Sequence, residues 1–134
     1  MKLINTYTRL GLQLLGYLAT VSPEQRVNVQ EIALYYQVSH YHLTKVVGHL
    51  NRLGYIQSRR GRHGGILLNR SPETIQLGYL IQALEQGYPL LCPDHHRHTV
   101  RFCHSVFRIL TIGLEALFIQ FNEFTLIDLV VMND

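Results

Sequence analysis

Hydrophobic periodicity changes abruptly at Gly54, and few folds accommodate that change. Before it, Leu43, Val46, Val47, Leu50 and Leu53 recur at offsets of three and four, the spacing of a helix with one buried face. Ser39 stands where an N-cap belongs, and Gly54 falls just past the last apolar turn. After it, residues 55–60 read as a strand, Gly61-Arg62-His63-Gly64-Gly65 as a tip, and Ile66-Leu67-Leu68 as a returning strand. A second, shorter helical stripe, Val29, Ile32, Ala33 and Tyr36, precedes the capped helix. Before that, Leu10, Leu14, Leu15, Leu18 and Val21 mark a helix within roughly residues 3–20, ended by Ser22-Pro23-Glu24-Gln25. Short helix, tight turn, capped helix and hairpin predict a winged helix-turn-helix, a mainly α fold with a small β-hairpin wing.

Downstream, Ser71-Pro72-Glu73-Thr74 predicts another helix start with proline at its first position. Ile75, Leu77, Leu80, Ile81 and Leu84 give its apolar face, and Gly87 and Pro89 end it. A polar loop follows from about Cys92 to Cys103. The last long helix, from His104 to about Phe121, is apolar on nearly every side, with Val106, Phe107, Ile109, Leu110, Ile112, Leu114, Leu117, Phe118, Ile119 and Phe121. A chain this small cannot cover such a helix alone, so packing against a second copy, a homodimer, is expected. The organisation is a winged helix-turn-helix domain over residues 1–86, a cysteine/histidine sensing loop over 87–103, and a dimerisation helix with a C-terminal segment over 104–134.

The formal charge of +3 conceals an asymmetry. Through Arg70 there are nine basic and two acidic residues, hence +7, and from Ser71 onward three basic and seven acidic, hence −4. A polyanion-facing amino-terminal half is implied. If Leu43, Val47 and Leu50 face the core, the opposite face of the capped helix carries Tyr41, Lys45, Gly48 and Arg52. Ser39 and His40 lie at its start, where free backbone N–H groups favour phosphate, and His42 lies on or beside the same surface. Arg59, Arg60, Arg62 and His63 crowd the hairpin tip, suited to clamping phosphates or entering a minor groove. Double-stranded DNA is the partner this pattern selects, read as a palindromic operator by a dimer.

Other classes fit poorly. Two cysteines are too few for a disulfide framework, which favours a reducing compartment. The first residues lack the pattern of a signal peptide, and no apolar run approaches the roughly 20 residues of a membrane span, so a cytoplasmic location with no membrane partner is expected. The glycine-rich tip lacks the lysine and hydroxyl of a nucleotide-binding loop, and there is no carboxylate motif or nucleophile elbow. No enzyme and no catalytic residue is expected.

The run Ser39-His40-Tyr41-His42-Leu43-Thr44-Lys45-Val46-Val47, with Gly54-Tyr55-Ile56, Arg60-Gly61 and Gly64-Gly65-Ile66, resembles the winged-helix bacterial transcription regulators of the NsrR/IscR (Rrf-type) family. The resemblance continues through Ile75, Gly78, Ile81, Leu84-Glu85, the two cysteines and Phe124-Thr125-Leu126-Ile127-Asp128-Leu129, almost the whole chain. It is nearest to the nitric-oxide-responsive NsrR branch. It implies a homodimeric repressor with crossing C-terminal helices and an iron–sulfur cluster in the cysteine loop. Cluster-bearing members take three cysteines from that loop and a fourth ligand from elsewhere. Here Arg97 falls near the middle cysteine position and Arg9 aligns with the N-terminal aspartate ligand of some members. Cys92, Cys103, His95, His96 and His98, with His104 beside them, remain. Thiolate with imidazole can hold a [2Fe–2S] centre or another metal such as zinc. Inert thiols beside solvated histidines, or a redox-switched disulfide, are the competing readings. A second functional class is also open, a metal- or cluster-binding protein whose winged helix mainly mediates protein contacts.

Overall fold

A computed structural model describes residues 3–85 and 100–132. Helix α1, Thr6–Thr20, is capped by Asn5, whose side chain accepts the Thr8 N–H at 2.7 Å. It buries Leu10, Leu14, Leu15 and Leu18, and touches α3, α4, α6 and the wing, so it is the hub of the core. Asn28 caps α2, Val29–Tyr35. The Tyr17 hydroxyl donates to Glu31 at 2.6 Å, and the rings of Tyr17, Tyr35 and Tyr36 meet edge-on, fastening α1 to α2. The turn into α3 passes through Gln37 at φ +53, a left-handed position usually given to glycine.

Helix α3, His40–Arg52, buries Leu43, Val46, Val47 and Leu50, as its periodicity predicts. Gly54 at φ +76 then reverses the chain into β1, Ile56–Arg59, paired antiparallel with β2, Gly65–Leu68. Ile56 and Ile66 are the anchors this hairpin sends into the core. A feature the sequence did not signal completes the wing. Val27, between α1 and α2, exchanges two backbone hydrogen bonds of 2.9 Å with Ile66, so a third short segment lies beside β2.

The helix expected from Ser71 divides in two. Pro72–Thr74 makes one 3₁₀ turn, Ile75 and Gln76 are extended, and α4 is Leu77–Leu84. The interruption has a long-range cause. Leu77 N–H donates to Phe124 C=O and Leu126 N–H to Ile75 C=O, both at 2.9 Å, a bridge that buries Ile75 and Leu126. Tertiary pairing outweighs local helix propensity there.

Helix α5, Val100–Phe121, starts four residues before the expected His104, so Cys103 lies within it by backbone. Phe118 and Phe121 near its C-terminus pack on the core. Helix α6, Leu126–Val131, is opened by a capping box of Thr125 and Asp128. Further up α5, Ile109, Leu110 and Ile112 are 69%, 48% and 59% exposed, an apolar surface the protomer leaves uncovered. No helix of the described residues is long and apolar enough to cross a membrane.

Candidate nucleic-acid interface

The face of α3 opposite the core carries His40, Tyr41, Thr44, Lys45 and Arg52, all exposed, with Gly48 half-buried among them. Ser39 caps the helix, its hydroxyl accepting the His42 N–H at 3.4 Å. The Lys45 ammonium sits 4.5 Å from the Tyr41 ring centre, a cation–π contact that restrains an otherwise mobile cation. The His42 ring lies beside that of Tyr41.

His49 is drawn inward instead. Its Nδ1 is 3.1 Å from the Tyr7 hydroxyl oxygen, and that hydroxyl donates its proton to Lys45 C=O at 3.4 Å. Burial raises the pKa of Tyr7, opposed by the nearby positive charge of Arg52. Tyr7 thereby braces α1 against the middle of α3.

The wing presents Arg59, Arg60, Arg62 and His63 on its exposed tip. Gly61 at φ +104 and a Gly64 N–H to Gly61 C=O bond of 2.9 Å close that tip tightly. The basic half contains two arginines with other duties. Arg26 Nη1 donates to Gly65 C=O at 3.3 Å and braces the base of the wing. Arg70 donates from Nε to Gly54 C=O and from Nη2 to Leu53 C=O, each at 3.2 Å, with its guanidinium over the Tyr55 ring at 4.5 Å. It satisfies carbonyls at the C-terminal end of α3 and locks helix to wing. Nothing local to Arg70 distinguishes it from a groove-binding cation. The signal available was its position, two residues past the returning strand.

The described residues bring the helix face and the wing onto one braced frame. Cys92, His95, His96 and His98 lie outside the described residues. Among the described residues, no group of three or more His, Cys, Asp or Glu is placed to hold a metal. The end of α4 nearest the loop is anchored: Glu85, 9% exposed, accepts the Asn5 backbone N–H at 2.8 Å and the Asn5 Nδ2 at 3.0 Å.

Comparison with known proteins agrees with this architecture. The Rrf2 family, described as an iron-dependent transcriptional regulator, matches residues 4–131. The transcriptional regulator NsrR of Bacillus licheniformis is 36% identical over the whole chain and 95% of its own length. Among solved structures, T. potens IscR superposes with a TM-score of 0.74 at 25% identity, covering 100% of this chain and 89% of that one. CymR of B. subtilis, described as the global cysteine regulator, gives 0.67 at 26% identity with both chains fully covered. The helix-turn-helix, the wing and the near-complete match lead to one assignment: the chain belongs to the Rrf2 family and is a winged-helix, DNA-binding transcriptional regulator, not an enzyme.

Proposed function

We propose that the chain is a homodimeric, sequence-specific repressor of the NsrR type, acting on a palindromic operator in the cytoplasm and answering to nitric oxide, redox state or iron–sulfur status. The observation that carries this reading is the exposed cationic face of α3 joined to an arginine-tipped wing through Gly54 and Arg70. Ser39, His40, Tyr41 and His42 are assigned to base edges and nearby phosphates, and Lys45, Arg52, Arg59, Arg60, Arg62 and His63 to phosphate and groove contacts. The exposed apolar face of α5 supports pairing with a second copy. Two α3 helices related by a two-fold axis would meet half-sites about one helical turn apart.

The wing arginines test the assignment. The probe is a duplex selected by the unsubstituted protein from a randomised pool, titrated by fluorescence anisotropy at several salt concentrations. Arg60→Ala with Arg62→Ala should weaken binding and flatten the slope of log K against log salt by about 0.9 per lost phosphate contact. An unchanged slope removes the wing from the interface.

The donor set does not fit a [4Fe–4S] cluster. The chain has two cysteines, and the α1 position aligned with a family carboxylate ligand is Arg9, an exposed guanidinium that cannot ligate iron. Protein purified without oxygen is therefore expected to lack the brown colour and stoichiometric acid-labile sulfide of such a cluster. A sample whose iron and acid-labile sulfide correspond to a four-iron, four-sulfide cluster per chain, with the matching Mössbauer spectrum, would overturn that expectation. Cys92, Cys103, His95, His96 and His98 are the groups through which a signal would act in this chain, as thiols or as a mixed thiolate–imidazole site.

A further inference from the structure

Most glycines among the described residues answer to the fold. Gly54, Gly61 and Gly65 hold positive φ, and a Cβ at Gly11, Gly64 or Gly78 would strike neighbouring atoms. Gly48 answers to neither. It sits in the middle of α3 with ordinary helical backbone, and a Cβ there would meet only the Arg52 Nη1 atom at 3.7 Å, an ordinary contact. Glycine is a poorer helix former than alanine, so the fold would be more stable with alanine at this position. The surroundings suggest what the missing side chain permits. Lys45 precedes Gly48 by one turn and Arg52 follows it by one turn, with Tyr41 a further turn back, all exposed on the same side. Lys45 and Arg52 thus flank a stretch of helix with no side chain of its own, covered only by the far end of the flexible Arg52 side chain.

We propose that Gly48 is the point of closest approach between α3 and duplex DNA, a position where absence of a side chain sets how deeply the helix enters the major groove. Depth of entry decides which base edges Tyr41 and Lys45 reach, so Gly48 determines specificity without contacting a base through a side chain of its own. A methyl group added at a tightly packed contact forces the partners apart, and bidentate or short contacts on either side lengthen together. A nonspecific complex rides on phosphates and tolerates that separation. The proposal rests on α3 being the DNA-reading helix.

The test compares Gly48→Ala, Gly48→Ser, Gly16→Ala and the pair Lys45→Ala with Arg52→Ala in the full chain. The probes are the selected duplex and an unselected random-sequence duplex. Gly16 lies in α1, and a Cβ there would meet nothing within 4 Å, so it controls for the general effect of replacing a helical glycine. Gly48→Ala should raise the melting temperature by roughly 3 °C. It should also weaken binding to the selected duplex by roughly tenfold or more, with Gly48→Ser weaker still. Binding to the random duplex should stay within about twofold, and Gly16→Ala should bind both like the unsubstituted protein. A Gly48→Ala protein that holds the selected duplex within twofold, or that melts lower, overturns the proposal. If the Lys45 and Arg52 substitutions also leave binding intact, the assignment of α3 as the reading helix falls with it. If they weaken binding and Gly48→Ala does not, only the role of Gly48 is lost.

Discussion

Gly78→Ala is expected to lower the melting temperature by roughly 10 °C. Gly78 lies in the first turn of α4, and a Cβ there would fall on the Phe118 carbonyl oxygen and on Asn122 Oδ1, with Asn122 Cγ at 2.7 Å. The Phe118 oxygen is backbone of α5 and already accepts the Asn122 N–H at 3.0 Å, so it cannot swing aside. Asn122 cannot yield without loss either. Its Oδ1 accepts the Tyr79 N–H at 3.0 Å, and its carbonyl accepts from Gln76 Nε2 at 3.2 Å. Gln76, the residue at the N-cap of α4, makes no capping bond of its own, so Asn122 supplies from another element what the local sequence does not. Relief of the clash must separate α4 from α5 and expose part of Leu77, Leu80 and Phe118. Overpacking against backbone commonly costs about 1–3 kcal/mol, and loss of a cap adds about 1 kcal/mol. Differential scanning calorimetry measures the shift, and a drop of less than about 2 °C would show that the α4–α5 contact is looser than described.

Elements whose causes are local were legible in the sequence, and elements whose causes are distant were not. Helix α3 announced itself because its stripe, its Ser39 cap and its Gly54 stop all lie within one stretch of chain. The wing followed from the change of period and from its glycines. By contrast, Ile75 shares the apolar spacing of the helix after it, and the pairing with the segment around Thr125 holds Ile75 and Gln76 extended. Asn5 and Glu85 bind across most of the chain, and neither carries a sign of the other. The site was legible in kind more than in detail. Charge counting found the basic half, but it weighed Arg26 and Arg70 equally with Arg60 and Arg62, though the first two hold carbonyls at the base of the wing. Nor does the sequence show that His49, between Lys45 and Arg52 on α3, is engaged by Tyr7 of α1. Charge reports composition, and which cation remains free for a ligand depends on which carbonyls the fold leaves unsatisfied nearby.

Ile109→Glu combined with Ile112→Glu should convert the proposed dimer into a monomer and weaken binding to the selected duplex by at least about a hundredfold. Both side chains belong to the uncovered face of α5, at 69% and 59% exposure, so the protomer loses little packing when they change. In a dimer the same positions would be buried, and each glutamate would place a charge in an apolar contact, which is strongly unfavourable. Gly113 lies on the exposed side of α5, where an added Cβ would meet nothing within 4 Å, and so offers a place for a partner helix to cross closely. The effect on DNA comes from linkage. Two α3 helices held by one dimer bind the second half-site at high effective concentration, and separate protomers lose that gain while each keeps its own contacts. Binding of a single half-site duplex should therefore stay nearly constant while binding of the full site collapses. Leu34→Glu is the control, because Leu34 is equally exposed at 68% but lies on α2. Sedimentation velocity and circular dichroism separate loss of pairing from loss of folding: the α5 double variant should sediment as a folded monomer and the Leu34 variant as a dimer. A double variant that still sediments as a dimer would place the interface elsewhere.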